Sequence, residues 1–317
     1  MRILVTGGAG FLGSHLCERL VADGHRVTVL DSFDPFYPRA DKEENLHGLG
    51  RKIRLDEGDI RDPVAVERAF KDSNQEVVVH LAARAGVRPS LADPVLYHEV
   101  NSLGTVRVLE ASRKHGVQRF IFASSSSIYG AREAPGPCRE DDPVESQISP
   151  YGATKRAGEQ HVRVFSRLHG FSAACLRFFT AYGPRQRPDM AIHKFALRIS
   201  RGKEVPIFGT GDTAKDYTYV GDIVEGIALA VDRPYDFEVI NLGGGRATKL
   251  SDLPEKLSRL LCKPLRVKQE PLQPGDVMES LSDIRRARAV LGWQPKVGID
   301  EGLERFVEWF NRRPSTP

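Results

Sequence analysis

A chain of 317 residues with 40% hydrophobic and 28% charged side chains has an ordinary globular composition, long enough for one large α/β domain or two closely packed lobes. Its formal charge of +4 favours an anionic ligand, but Lys and Arg are scattered rather than blocked, which argues against a nucleic-acid tract. Cys17, Cys138, Cys175 and Cys262 lie too far apart for a disulfide framework or zinc site, and no histidine pair has ligand spacing, so no metal is expected. With no secretory h-region and no apolar run of membrane length, a cytoplasmic protein with no membrane partner is expected.

The first apolar run, residues 2–6, predicts a buried strand, and Thr6-Gly7-Gly8-Ala9-Gly10-Phe11-Leu12-Gly13 follows it into a helical pattern over residues 11–22. Gly8, Gly10 and Gly13 satisfy GxGxxG, while Gly7, Gly10 and Gly13 satisfy GxxGxxG. Between a strand and a helix, such glycines let the backbone turn tightly and approach a pyrophosphate, whose charge rests on the free N–H groups of the helix N-terminus. A second strand over residues 26–30 ends at Asp31, a carboxylate suited to adenosine ribose hydroxyls and repulsive to a 2′-phosphate. Ser32 and Phe33 bring no adjacent cation, with Arg39 and Lys42 further along, so NAD is expected over NADP. Asp59 follows another strand-like stretch, where an isolated aspartate would equally serve as a loop cap.

Further strands are predicted over residues 77–81, 119–123 and 173–178, and helices over residues 94–115 and 150–169. This alternation predicts a Rossmann-like, doubly wound parallel sheet over residues 1–180. Beyond residue 180 the pattern loosens into helical stretches near residues 192–201, 222–231, 250–261 and 300–311. This part reads as a smaller C-terminal α/β substrate lobe, residues 181–317, although residues 239–242 look like a strand able to return to the first sheet. Trp293 and Trp309 are expected in the core.

The chemistry concentrates at Ser149-Pro150-Tyr151-Gly152-Ala153-Thr154-Lys155. Ser149 suits an N-cap and Pro150 the first helical turn, and Tyr151 and Lys155 lie four apart on one face. A free phenol titrates near 10 and is a poor base at neutral pH, but an adjacent ammonium and a positive nicotinamide ring both favour phenolate. Ser125, in the hydroxyl cluster Ser124-Ser125-Ser126-Ser127, is the candidate for hydrogen-bonding the reacting oxygen. Strand-end serines are ordinarily turn formers, and this cluster matters through its company.

Together, Thr6 to Gly13, Asp31, Leu81-Ala82-Ala83, Asn101, Ser124 to Gly130 and Tyr151 to Lys155 resemble the extended short-chain dehydrogenase/reductase family, over nearly the whole chain. Arg84-Ala85-Gly86-Val87-Arg88, Arg177-Phe178-Phe179-Thr180-Ala181-Tyr182-Gly183-Pro184, Arg187-Pro188-Asp189-Met190-Ala191 and Gln273-Pro274-Gly275-Asp276-Val277 resemble its UDP-glucuronate 4-epimerases most. The resemblance implies that Gly7, Gly10, Phe11, Leu12, Gly13, Asp31, Ser32, Asp59, Ile60, Leu81, Ala82, Ala83, Asn101, Tyr151 and Lys155 hold NAD. It also implies that Tyr151, Lys155 and Ser125 are catalytic in a hydride cycle at C4 with no net redox change.

Ser126, Ser127, Thr180 and Arg187 would hold a uronate carboxylate, Ala191 and Phe208 the rest of a UDP-sugar, with Lys215 and Asp276 completing the set. Related decarboxylases and dehydratases carry an acid in the segment matched by residues 125–128, where this chain has hydroxyls, so epimerisation is favoured. Lys215 stands where such epimerases often have arginine, giving charge without a bidentate fork. UDP-glucose 4-epimerase, decarboxylase or dehydratase, and a non-catalytic NAD-binding protein are the alternatives. Helices over residues 94–115 and 150–169 match the family's dimerisation pair, so a homodimer is expected.

Overall fold

The computed structural model describes residues 1–71, 73–132, 136–271 and 279–313. The chain opens with β1 (Arg2–Thr6), α1 (Phe11–Ala22), β2 (Arg26–Asp31), α2 (Arg39–His47), β3 (Ile53–Glu57), α3 (Pro63–Phe70), β4 (Val77–His80), α4 (Val87–Ala92), α5 (Pro94–His98), α6 (Thr105–Lys114), β5 (Arg119–Ser125), α7 (Pro150–His169) and β6 (Ser172–Phe178). It continues with β7 (Thr180–Tyr182), α8 (Ala191–Ser200), β8 (Val205–Phe208), β9 (Ala214–Tyr219), α9 (Val220–Asp232), β10 (Phe237–Leu242), β11 (Ala247–Lys249), α10 (Asp252–Leu261), β12 (Val267–Glu270), β13 (Glu279–Ser280), α11 (Arg285–Leu291) and α12 (Ile299–Arg312).

Successive side chains of a strand point to opposite faces, and the central strands are apolar on both. Ile3, Val5, Val77 and Val79 pack with Leu16 and Leu20 of α1 and Ile223 and Ile227 of α9. Leu4 and Val78 pack on the other side with Val66, Val108 and Val162 of α3, α6 and α7. The result is a parallel sheet ordered β10-β6-β5-β4-β1-β2-β3 and covered by helices on both faces. The chain winds outward from β1 in both directions, so a crevice opens beyond the carboxyl ends of β1 and β4, where such sheets receive ligands. The predicted doubly wound α/β class is the observed one.

β10 returns to this sheet, pairing in parallel with β6 from Phe237↔Ala173 to Leu242↔Phe178. The other late strands form two small sheets: β9 pairs with β7, β11 and β13, and β8 pairs with β12. Trp293 is buried and donates to the Asp222 carbonyl at 2.8 Å, whereas Trp309 is half-buried at the edge of the same core. Among the described residues no helix is long and apolar enough to cross a membrane.

The helix expected over residues 94–115 is broken into α5, a π-helical turn over Glu99–Gly104, and α6. The wider turn directs Asn101 inward, where its amide accepts from Arg84 N at 2.8 Å and donates to Arg84 O and Thr154 Oγ1 at 3.0 Å. Apolar spacing does not register such an inserted residue.

Candidate active site

β1 runs straight into the glycine turn. Gly7 has φ 73°, and a Cβ there would stand 2.8 Å from Ala82 N; at Gly13 it would stand 2.1 Å from Gly7 O. The turn therefore folds only with glycine at both positions. No side chain caps α1 at Gly10, leaving the first-turn N–H groups, those of Phe11, Leu12 and Gly13, for a ligand in the crevice.

Asp31, buried at the end of β2, accepts from Ala9 N at 2.9 Å and from Phe33 N at 2.8 Å. Burial pushes its carboxyl up, opposed by these N–H groups and by Lys42. Each oxygen retains acceptor capacity for a hydroxyl. Arg39 is committed to Glu43 and, through two 2.8 Å bonds, to Glu57. This cradle and carboxylate fit a dinucleotide without a 2′-phosphate.

Ser32 is exposed beside them. Asp59 caps its own turn, accepting from Arg61 N at 2.7 Å and pairing with the Arg61 guanidinium, while Ile60 packs under Gly104. Leu81, Ala82 and Ala83 leave β4 across the crevice, with Ala82 N donating to Thr6 Oγ1 at 3.2 Å. His80 ties this floor together, bonding Thr6 at 2.7 Å and Thr105 at 3.0 Å. Burial lowers it to about 3, so it is neutral.

α7 starts as its sequence dictates: Ser149 Oγ accepts from Gly152 N at 3.1 Å and Pro150 fills the first turn. Tyr151 packs edge-on to Tyr97 at 6.2 Å. Burial pushes the phenol up, and the nearby Ser125 hydroxyl and the Arg187 charge oppose this.

Arg187 is a cation in electrostatic reach of the Tyr151 phenol. Lys155 Nζ donates to Ala123 O at 2.7 Å and lies 5.0 Å from the Phe122 ring centre, and burial lowers it to about 7. In this arrangement one donor of the Lys155 side chain is held by β5.

Ser126 and Ser127 begin a short 3-10 turn after β5, Ser127 N donating to Ser125 Oγ at 3.1 Å. Thr180 opens β7, facing Tyr217 of β9 in register, and Ala191 opens α8. Arg187 is paired bidentately with Asp189 through two 2.9 Å bonds, so its charge is balanced before any ligand binds. Phe208 ends β8 with the Arg88 guanidinium 4.7 Å from its ring centre. Lys215 lies in β9 opposite Thr248 and Ser280. Asp276 and the segment around it lie outside the described residues.

Residues 3–243 match the NAD dependent epimerase/dehydratase family. The chain belongs to that family. It is 38% identical over 309 residues to a UDP-glucuronate 4-epimerase of Thermodesulfobacterium geofontis, covering 96% of this chain and 95% of that one. It superposes with a TM-score of 0.92 and 34% identity on the Bacillus cereus UDP-glucuronic acid 4-epimerase in complex with UDP-glucuronic acid and NAD, covering 98% and 99% of the two chains. The Thermus thermophilus UDP-glucose 4-epimerase in complex with NAD gives a TM-score of 0.91 and 36% identity over the same shares.

Within this family fold, several buried polar residues carry the site without having been singled out in the sequence. Glu159, one turn beyond Lys155, pairs with Arg177 through two 2.9 Å bonds and accepts from Ser124 Oγ at 2.6 Å. Arg177 continues to Tyr129 Oη at 3.0 Å, and Tyr129 to Asn241 at 2.7 Å, which joins α7, β5, β6 and β10. Asp216, beside Lys215, accepts from the N–H groups of Gly244, Gly245 and Ser282 and the hydroxyls of Ser282 and Thr218. The available sequence signals were Arg177 within the quoted family segment and the charged residues in otherwise apolar surroundings.

Proposed function

We propose that the chain is an NAD-dependent UDP-glucuronate 4-epimerase, forming UDP-galacturonate through a transient 4-keto sugar. The observation that carries this reading is the placement of Tyr151 and Lys155 one turn apart at the start of α7, seated on β5 through the Lys155 Nζ–Ala123 O bond, with hydroxyls rather than a carboxylate across residues 125–128 at the end of that strand. Three kinds of support converge: the Tyr-Lys-Ser constellation, the dinucleotide cradle, and relatives named for this activity over nearly their full length.

Gly7 to Gly13, Asp31 and the Leu81 to Ala83 turn hold the dinucleotide. When bound, it supplies a hydride acceptor and donor at C4 with no net redox change. Tyr151 takes the O4 proton and returns it, Ser125 orients the oxygen, and Lys155 braces the α7–β5 seam from which both project. Ser126, Ser127 and Thr180 donate to the uronate carboxylate, and the Arg187–Asp189 pair sets the charge beside it. Holding that carboxylate keeps its bond to C5 out of alignment with the 4-keto group, which suppresses loss of carbon dioxide.

Residues 1–180, with β10, form the NAD lobe, and the remainder of residues 181–317 forms the sugar-nucleotide lobe. Val95, Leu103, Val164 and Leu168, exposed on α5, the π turn and α7, support a homodimer built on these helices.

A UDP-glucose 4-epimerase is the second reading. The neutralised Arg187 and the equally close Thermus fold favour it. Parallel incubation with each sugar tests the choice. Conversion of UDP-glucuronate in strong preference is expected, and conversion of UDP-glucose alone would overturn the uronate assignment. Tyr151→Phe is expected to reduce turnover about 10²- to 10⁴-fold with NAD still bound.

A further inference from the structure

The segment after β2, Ser32-Phe33-Asp34-Pro35-Phe36-Tyr37-Pro38, forms a strap across the glycine turn. Asp34 turns it by accepting from Phe36 N at 2.9 Å and ties it across the crevice through an ion pair with Arg84. Lys42 Nζ holds Asp34 O at 2.7 Å, and Asn45 holds the glycine turn itself through Ala9 O at 3.0 Å. Phe36 sits between two guanidinium groups, Arg84 at 5.1 Å and Arg187 at 5.4 Å from its ring centre. The strap is thus fixed to both walls of the site.

Tyr37 is the residue this packing leaves unexplained. Its hydroxyl is sealed from solvent and has no hydrogen-bond partner among the described residues. A buried donor without a partner is costly, so a partner supplied by a ligand is the economical explanation. The hydroxyl lies 4.0 Å from the place a Gly10 Cβ would occupy, directly over the turn that approaches a pyrophosphate. Asp31, at the adenosine end, and Arg187, at the sugar end, are both in electrostatic reach of it, as are the Asp41 and Asp189 carboxylates. Lys42, buried, places its ammonium 4.7 Å from the Tyr37 ring centre.

Resting on the reading of this crevice as the NAD site, we propose that Tyr37 donates a hydrogen bond to the dinucleotide pyrophosphate and that its strap retains the cofactor between turnovers. A single-enzyme hydride cycle needs that retention, because cofactor lost while the sugar is oxidised strands the 4-keto intermediate.

The test is the release rate of NAD from purified wild type and Tyr37→Phe, with thermal melting of both proteins stripped of nucleotide. We expect release to accelerate about 10- to 100-fold, as for loss of a hydrogen bond to a charged group, with melting of the stripped protein unchanged or raised. Equal release rates would overturn the proposal, as would faster release accompanied by a lowered melting temperature of the stripped protein. A wild type unable to bind NAD would instead overturn the functional reading, and this inference with it.

Discussion

Replacing Arg177 with Met should destabilise the protein by about 3–5 kcal/mol, the usual cost of stripping one partner from a buried ion pair. The Glu159 and Arg177 side chains are 1% and 2% exposed. Removing the guanidinium leaves the carboxylate with Ser124 Oγ and with Arg156, which is 3.2 Å away and 30% exposed. That remnant places the loss near the lower end of the range. An unfolding entropy of about 2.1 cal/mol/K per residue converts the range to a fall of about 5–8 °C in Tm. The assay is chemical and thermal unfolding of wild type, Arg177→Met, Glu159→Leu and the double variant. The double variant should recover much of the loss, because two apolar side chains leave no buried charge behind. A double variant as unstable as the summed singles, or a single loss below about 1 kcal/mol, would show that the Glu159–Arg177 pair is not a coupled buried ion pair.

Four other outcomes are expected. In protein stripped of nucleotide, Lys155 loses its proton near 7 against 10.5 for an unperturbed lysine. Between those values the unfolded chain binds more protons, so stability relative to Lys155→Met should rise with pH by at most about 1.4 kcal/mol per unit. Parallel stability curves from pH 7 to 10 would contradict that burial effect. Gly13→Ala should abolish NAD binding, measured as nucleotide content after purification, because its Cβ would meet Gly7 O at 2.1 Å. Asp216→Asn should cost about 2–4 kcal/mol in unfolding experiments, since an amide NH₂ would face the N–H donors now bonded to Asp216. Val164→Glu combined with Leu168→Glu should shift sedimentation from dimer to monomer, and a dimer that persists would remove these helices from the interface.

The parallel sheet was legible because its strands are short apolar runs and its first turn needs glycines that nothing else explains. α1 and α7 were legible end to end, α7 because Ser149-Pro150 supplies the N-cap and first turn that helix chemistry requires. The break at Glu99–Gly104 was not, because a π turn preserves the apolar face while shifting one residue inward. In the site, Tyr151 and Lys155 lie one turn apart on α7 and Ser125 ends β5, as their sequence context implied, while Arg187 arrives from beyond β7. The Asp189 partner, the Glu159–Arg177 pair, the Asp216 hub and the Tyr37 strap depend on contacts between distant segments. No periodicity or short motif encodes those contacts. Residues 239–242 show the intermediate case: their strand character was plain, whereas their place beside β6 was an open choice until the sheet order resolved it.

The most direct measurement incubates the purified protein with UDP-glucuronate in D₂O without added NAD and follows the sugar by proton NMR. The expected product is UDP-galacturonate that retains protium at C4, from a retained cofactor and a hydride never shared with solvent. Release of carbon dioxide, deuterium at C4, or no reaction even after NAD is added would contradict this expectation.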